Sequence, residues 1–368
     1  MKRVLQITGT LHRGGLETFA MNVYRKIDKQ KIQFDFLIHM ETGPYRKEVE
    51  SLEGKVYYIP PRNKGFLSFY RHLDEFFRTH ASEYCAVHMH VSTLSSIEAL
   101  YFAKKYGIQV RIIHSHSSSI SGNKLHYVLH YLMKPFVHSW ATHYLGCSIK
   151  AIEWLYKGSG VLNQAKMIKN GIDVNIFTYN ETVRQEVRHN LEVESCFVVG
   201  HVGRFIWMKN HKFILDIFRE LRKKVPNAKL VLVGDGTLYA DIKQLVESMG
   251  LTKDVLFLGL RSDIDQLLQG FDAFLMPSFY EGLPVSLVEA QCAGLPVFGS
   301  DTISRDTQIT QNMHFISLGE TAEMWAKKIN EYCRSFKRNN MDVVIKKAGF
   351  DISETVNLLI EIYLSKDA

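Results

Sequence analysis

The sequence predicts an α/β protein made of two doubly wound parallel units. Three observations carry this expectation. Short apolar strands alternate with helical segments twice along the chain, the second series starts afresh after a polar pause near residues 173–194, and 368 residues exceed what one ordinary core holds. Two units of roughly 170–190 residues each account for the length. Hydrophobic residues make up 46% and charged residues 23%, so both units have apolar material for a core and extended disorder is not expected.

The first series begins with an apolar strand at residues 4–8, followed by Gly14-Gly15 and a helix over 16–27. Strands at 34–38 and 56–59, a helix over 66–78, a strand at 86–89, a helix over 94–105 stopped at Gly107, and a strand at 110–114 complete it. The second series opens with a strand at 197–202 and a helix over 211–224 that ends before Pro226. A strand at 229–233 closes on Gly234-Asp235-Gly236, and a helix over 239–249 stops at Gly250. Strands at 255–258, 273–276 and 296–298 follow. No Pro-, Ser- or Gly-rich linker separates the series, so the expected domains are 1–178 and 179–350, with a helix over 351–368 packing back on the first.

The net charge of +7 suits a phosphorylated substrate, an anionic membrane surface or a nucleic acid. The lack of a basic arm argues against a dedicated nucleic-acid binder. Five scattered cysteines, Cys85, Cys147, Cys196, Cys292 and Cys333, form no C-x-x-C pair. They argue against a disulfide framework or structural zinc and for a reducing, cytoplasmic compartment. No signal peptide is expected, because the first apolar run is about four residues against the roughly 7–15 of a signal core. Residues 125–145 contain His126, His130, Lys134, Pro135, His138 and His143, too polar for a membrane span.

Ligands of open parallel sheets bind at the carboxyl ends of strands, and four stretches lie there. Arg13-Gly14-Gly15-Leu16-Glu17 offers glycines for close backbone approach and a helix start with free N–H groups, although it lacks the G-x-G-x-x-G dinucleotide fingerprint; a plain tight turn competes with this reading. Gly203-Arg204 and Lys209 set two cations after a strand, able to neutralise a diphosphate; the competing reading is a pair of solvated surface cations. The most specific stretch is residues 277–290. Glu281 lies in a loop, Pro284 suits a first helical turn, and a helix carries Glu289 on to Cys292. Free amides at Gly282, Leu283 and Val285 would meet an anion, and the two glutamates would accept from sugar and ribose hydroxyls. Finally, His114-Ser115-His116 ends a strand, where a histidine can exchange a proton with a substrate hydroxyl.

Taken together, RGGLETF, HSH, KNGID (169–173), GRFIWMKN, VLVGDG, FLGLRSDI and EGLPVSLVEAQCAGLPV resemble the retaining nucleotide-sugar glycosyltransferases of family 4, which have the GT-B fold. The resemblance spans about residues 3–335 and is nearest to bacterial enzymes of exopolysaccharide or capsule assembly. It implies two Rossmann-like domains facing a central cleft, an acceptor-side N-terminal domain and a C-terminal domain for the nucleotide sugar. It implies that Gly14 and Gly15 approach the donor diphosphate and that Arg204 and Lys209 bind it as it leaves. Glu281 with the backbone of Gly282, Leu283, Pro284 and Val285 would hold the sugar and phosphates, Glu289 the ribose, and the backbone near Leu260 and Arg261 the base. One of His114 and His116 would face the reacting centre, His114 being preferred. A UDP-sugar is the expected donor and a saccharide or lipid-linked saccharide the acceptor, with no metal or other cofactor and no protein nucleophile.

Ser262-Asp263-Ile264-Asp265 superficially matches a metal-binding D-x-D, but it is better read as a helix start capped by Ser262. His126, His130, Lys134 and His138 recur every four residues and form one polar helix stripe, with Leu125, Leu129, Leu132, Met133 and Phe136 beside or opposite it and Pro135 kinking or dividing the helix. Two readings stay open for this segment: a helix with one solvated side, or a peripheral contact with an anionic membrane or lipid diphosphate. The alternatives to a transferase are a nucleotide-sugar epimerase of the same fold and a non-catalytic sugar-binding subunit. A dehydrogenase is disfavoured by the missing fingerprint.

Overall fold

A computed structural model of the chain describes residues 1–12, 14–117 and 124–365. Arg13 of the first glycine stretch and the last three residues of the expected C-terminal helix lie outside these. The chain forms two compact units, Met1–Gly171 together with the chain from Asp351 onward, and Ile172–Phe350. The second unit begins at Ile172 rather than at 179, because Ile172, Val174 and Phe177 pack into its core.

The first unit holds a sheet of seven strands: β1 Lys2–Ile7, β2 Ile32–Ile38, β3 Val56–Tyr58, β4 Tyr84–Val91, β5 Val110–Ser115, β6 His143–Gly146 and β7 Lys166–Met167. Their order is β3-β2-β1-β4-β5-β6-β7, and every pair is parallel. Successive strand residues feed opposite faces. Val4 and Ile112 join the cluster under the helix Gly15–Lys26, while Leu5 and Ile113 join the cluster under the helix Phe66–His80. This two-sided burial is why the strands read as continuous apolar runs.

The helix Ile352–Tyr363 belongs to this unit. Ile352, Val356, Leu359, Ile362 and Tyr363 sit in the same cluster as Val4 and Phe34. A Cβ on Gly171 would lie 2.8 Å from the Ile352 Cα, so only glycine allows the helix start to approach this closely.

The second unit holds six parallel strands: β8 Phe197–Val202, β9 Ala228–Val233, β10 Val255–Gly259, β11 Ala273–Met276, β12 Val297–Ser300 and β13 Met313–Ile316. Their order is β10-β9-β8-β11-β12-β13. In each sheet the strand order therefore reverses once, between β1 and β4 and between β8 and β11. Loops leaving those two strands part to opposite sides of the sheet and leave a crevice at its carboxyl edge.

The helix Lys124–Trp140 runs unbroken through Pro135. Its expected polar stripe is also placed differently. His130 and Lys134 are buried: the Leu94 N–H donates to His130 Nδ1 (3.2 Å), His130 stacks on Trp154, and the Lys134 amine donates to the Lys157 carbonyl (2.7 Å). Tyr127, Val128, Tyr131, Leu132 and Phe136 are left exposed. No described helix is long and apolar enough to cross a membrane.

Candidate functional site

The crevice between β8 and β11 gathers the residues that sequence reasoning singled out in the second half. The loop after β8 carries Arg204 and Lys209, and the loop after β11 carries Glu281. The two loops are tied together. The Phe279 N–H donates to the Met208 carbonyl (2.9 Å), the Asn210 side-chain amide donates to the Pro277 carbonyl (3.1 Å), and Trp207 stacks on Phe279 with ring centres 4.6 Å apart. The β9 loop buttresses the first of them: the Phe205 N–H donates to the Asp235 carbonyl, and a Cβ on Gly234, at φ +137°, would lie 2.1 Å from the Gly203 carbonyl oxygen. Gly234 is therefore fixed by conformation and by close approach together.

Lys209 and Glu281 form an ion pair at 2.7 Å with each side chain only 13% exposed. Arg204 is exposed and has no hydrogen bond or ion pair among the described residues. One cation of the pair is thus held by the acid and the other is free. Beside them His201 and His211 are buried, their rings 4.9 Å apart, and burial keeps both neutral; the His211 pKa is pushed down to about 4. Sequence reasoning missed these two histidines.

Glu281 itself makes a β-bridge to Ile303, and the chain then enters the helix Val285–Cys292. Pro284 is the cap residue, one place before the helix, and no side chain caps it. The first amides of this helix therefore lack a side-chain acceptor, the arrangement that receives anions. Glu289 lies deep in the protein with part of its surface still reached by solvent. Burial, with Asp265 adding repulsion, pushes its carboxyl up to about 7.

Leu260 is exposed after β10, and Arg261 is tied to Asp263 (2.7 Å). The cap of the helix Ile264–Gly270 is Asp263, not Ser262 as expected, and Asp265 lies close enough to Glu289 to raise its carboxyl by repulsion.

In the first unit the loop after β1 is shaped by Thr8, whose hydroxyl donates to the Thr10 carbonyl (2.8 Å), and by Thr10, whose hydroxyl donates to Glu17 (2.7 Å). Gly14 is the cap of the helix Gly15–Lys26, and a Cβ on Gly14 would strike the Glu17 carboxylate. A Cβ on Gly15 would meet nothing within 4 Å, so neither packing nor φ demands glycine there.

His114 and His116 differ from expectation. His114 is wholly buried, because alternation turns it under Phe19 on the covered face of β5. His116, one residue past the strand, keeps partial exposure. The expected preference for His114 as the substrate-facing histidine meets its complete burial; His116 is the more exposed of the two, although its Nδ1 is buried as well. Two further histidines, His88 and His90 on β4, lie against them, a pairing that the matching H-x-H patterns at 88–90 and 114–116 foreshadow. The ring nitrogens of His88, His90 and His114 come within 4.8 Å of one another, the only such group of possible metal ligands among the described residues. Both nitrogens of His88 and of His90 already have hydrogen-bond partners, and the two rings stack at 4.1 Å. Stacked rings point their lone pairs side by side rather than at one ion.

Comparison with known proteins supplies independent findings. Residues 13–176 match the family model Glycosyltransferase Family 4, and residues 183–348 match Glycosyl transferases group 1. EpsF of Bacillus subtilis (strain 168), named as a glycosyltransferase, is 33% identical over 98% of this chain and 96% of its own. The capsular polysaccharide biosynthesis glycosyltransferase CapH of Staphylococcus aureus is 26% identical over 100% of this chain and 99% of its own. The crystal structure of Anabaena HepE in complex with UDP and glucose superimposes with a TM-score of 0.77 at 19% identity, covering 98% of this chain and 99% of that one.

Proposed function

The chain belongs to glycosyltransferase family 4 and has the GT-B fold, and from that premise we propose that it transfers a hexose or N-acetylhexosamine from a UDP-sugar, with retained configuration, to a saccharide or lipid-linked saccharide of a cell-surface polysaccharide. The observation that carries this reading is the pairing of a free Arg204 with a Lys209–Glu281 ion pair and an uncapped helix start at one strand-order reversal. Cations and amide dipoles at that point suit a diphosphate that gains charge as it leaves. Support for UDP comes from the nucleotide in the HepE complex, and support for a polysaccharide product from the name of CapH.

In this reading Arg204, Lys209 and the amides from Gly282 to Val285 hold the diphosphate. Glu281 accepts from the sugar, Glu289 from the ribose, and the backbone at Leu260 and Arg261 meets the base. In the first unit Gly15 leaves room for substrate, and His116 faces it. The bond from the anomeric carbon to the phosphate oxygen breaks, the acceptor oxygen bonds to that carbon on the same face, and the acceptor proton goes to the leaving phosphate. No metal and no protein nucleophile takes part. The test is an assay of purified protein with a panel of nucleotide sugars and acceptors, reading UDP release and the anomeric configuration of the product by NMR. Release that needs acceptor, with the donor configuration kept, is expected. Nucleotide release without acceptor, or interconversion of free UDP-sugars, would point instead to the epimerase reading.

The Glu289 carboxyl gives this site a pH signature. As pH falls through about 7 it takes up a proton and loses its charge, so the donor KM should rise on the order of tenfold and Glu289→Gln should remove the pH dependence. The effect on stability runs the other way. A carboxyl raised from 4.5 to about 7 on folding contributes stability that is complete below 4.5 and lost as pH rises through about 7. Glu289→Gln should therefore raise the Tm of the ligand-free protein at pH 8 while weakening donor binding.

The reaction is placed in a reducing, cytoplasmic compartment, supported by five free cysteines, and at a membrane surface. The exposed face of Tyr127, Val128, Tyr131, Leu132 and Phe136 supports the second point. So does charge: no Asp or Glu occurs between Glu98 and Glu153, a stretch holding Lys104, Lys105, Arg111, Lys124, Lys134 and Lys150. An aromatic face in a basic, acid-free segment suits anionic lipid. The protein should float with phosphatidylglycerol vesicles at low salt and not with phosphatidylcholine, and Leu132→Asp should cut the bound fraction at least about tenfold. Failure to float at low salt would end the membrane reading.

A further inference from the structure

Under the carboxyl edge of the first sheet, six side chains form two hydrogen-bonded branches. In one, the Tyr363 hydroxyl lies 2.7 Å from His88 Nδ1, and His88 Nε2 lies 3.2 Å from His114 Nδ1. In the other, His90 Nε2 lies 2.8 Å from Gln6 Oε1, and His90 Nδ1 lies 2.9 Å from His116 Nε2. Gln6 joins the branches, its amide nitrogen 3.3 Å from the Tyr363 hydroxyl. Two nitrogens at the far ends, His114 Nε2 and His116 Nδ1, are buried and have no partner.

A neutral imidazole has one donor and one acceptor nitrogen, so each branch has only two arrangements. Burial keeps the four histidines neutral, with His116 pushed down to about 3, and keeps Tyr363 protonated. If the Gln6 oxygen accepts from His90, then His90 Nδ1 must accept from His116 Nε2–H, and His116 Nδ1 is left as a bare lone pair. In the same arrangement the Gln6 amide donates to Tyr363, Tyr363 donates to His88, His88 donates to His114, and His114 Nε2 keeps its hydrogen. Turning the Gln6 amide over reverses every donor in both branches. The two free nitrogens therefore always have opposite characters.

The distances choose between the arrangements. A contact of 2.7 Å suits an O–H donor, and 3.3 Å is too long for one but close to the range of an N–H donor. Tyr363 thus gives its single proton to His88 and accepts from Gln6.

We propose that Gln6, His88, His90 and Tyr363 are positioning residues that fix the tautomer of His116, so that its unpartnered Nδ1, buried in the ligand-free protein, is kept as an acceptor for a sugar hydroxyl of the substrate, while His114 Nε2 stays a donor. The substrate half of this statement rests on the reading of His116 given above; the tautomer half does not. Both the acceptor at the sheet edge and the anchor of the helix Ile352–Tyr363 come from one network, because the Tyr363 ring packs in the apolar cluster while its hydroxyl reaches His88.

The test is 15N NMR of the full-length protein labelled at histidine, with His116 and His114 assigned through His116→Asn and His114→Asn. The expected result is His116 protonated at Nε2 and bare at Nδ1, with His114 protonated at Nε2 and bare at Nδ1. The reverse pattern, rapid mixing of both tautomers, or histidine shifts set by a stoichiometric bound metal would overturn the proposal, whatever the chain transfers. In Tyr363→Phe the proton that selects the arrangement is gone. His116 should then populate both tautomers, and turnover should fall roughly tenfold at unchanged UDP affinity, the size of one lost hydrogen bond. A single, unaltered His116 tautomer in that variant would contradict the positioning role, and the wild-type spectrum decides the matter if the variant does not fold.

Discussion

Arg204→Ala should lower turnover on the order of 10²-fold or more and leave the folded protein almost untouched. Both halves follow from the same observation. Arg204 is exposed and makes no hydrogen bond or ion pair among the described residues, so its removal breaks nothing in the ligand-free protein; surface changes of this kind stay within about 0.5 kcal/mol. In the proposed reaction its position after β8, where the strand order reverses, would set its planar donors against the leaving diphosphate. A guanidinium that waits without a partner needs no rearrangement to meet that charge. Single-turnover rates and a melting curve check the prediction, and near-normal rates would remove Arg204 from the site.

Glu281→Gln should also cost on the order of 10²-fold in turnover, with a second effect that separates it from simple damage. In the ligand-free protein Glu281 neutralises Lys209 at 2.7 Å. In the proposed reaction the diphosphate would have to share that lysine with the acid. Glutamine keeps the shape and removes the charge, so free UDP should bind about 3- to 10-fold more tightly even as sugar transfer falls. The ligand-free variant should also melt earlier, because a largely buried ammonium has lost its counter-ion, a cost of about 1–3 kcal/mol. Saturating UDP should close that gap, since a ligand that binds only the folded protein stabilises it. Calorimetry with UDP alone is the check. Equal loss of UDP affinity and turnover would mean that the ion pair only supports the loop.

The second unit was the more legible one. The strand at 197–202 and the helix over 211–224 could be bounded to the residue, because an apolar run buried on both faces and a strongly amphipathic helix each carry a clean period. Arg204, Lys209, Glu281 and Glu289 could be placed because each follows a strand end or a helix start that local residues define. β6, β7 and β13 escaped notice. They are only two to four residues long, and His143 and His314 interrupt the apolar pattern, so pairing with neighbours rather than local signal makes them strands.

The helix Lys124–Trp140 shows a different limit. Periodicity finds its stripes and cannot say which stripe turns inward. His130 and Lys134 do so because Trp154 and the Lys157 carbonyl, both distant in sequence, receive them. The complete burial of His114 was hidden for a similar reason. Strand-end position was visible, but the cover supplied by Phe19 was not. The Lys209–Glu281 contact was likewise hidden, since it depends on two loops meeting from opposite sides of the strand-order reversal.

A crystal structure of the second unit's site in the full chain bound to UDP bears most directly on the whole account. The account predicts the diphosphate within hydrogen-bond distance of the Arg204 guanidinium, the Lys209 amine and the first amides of the helix Val285–Cys292, with the ribose hydroxyls on Glu289. UDP bound away from the carboxyl edge of β8 and β11, or no binding at millimolar UDP, would contradict it.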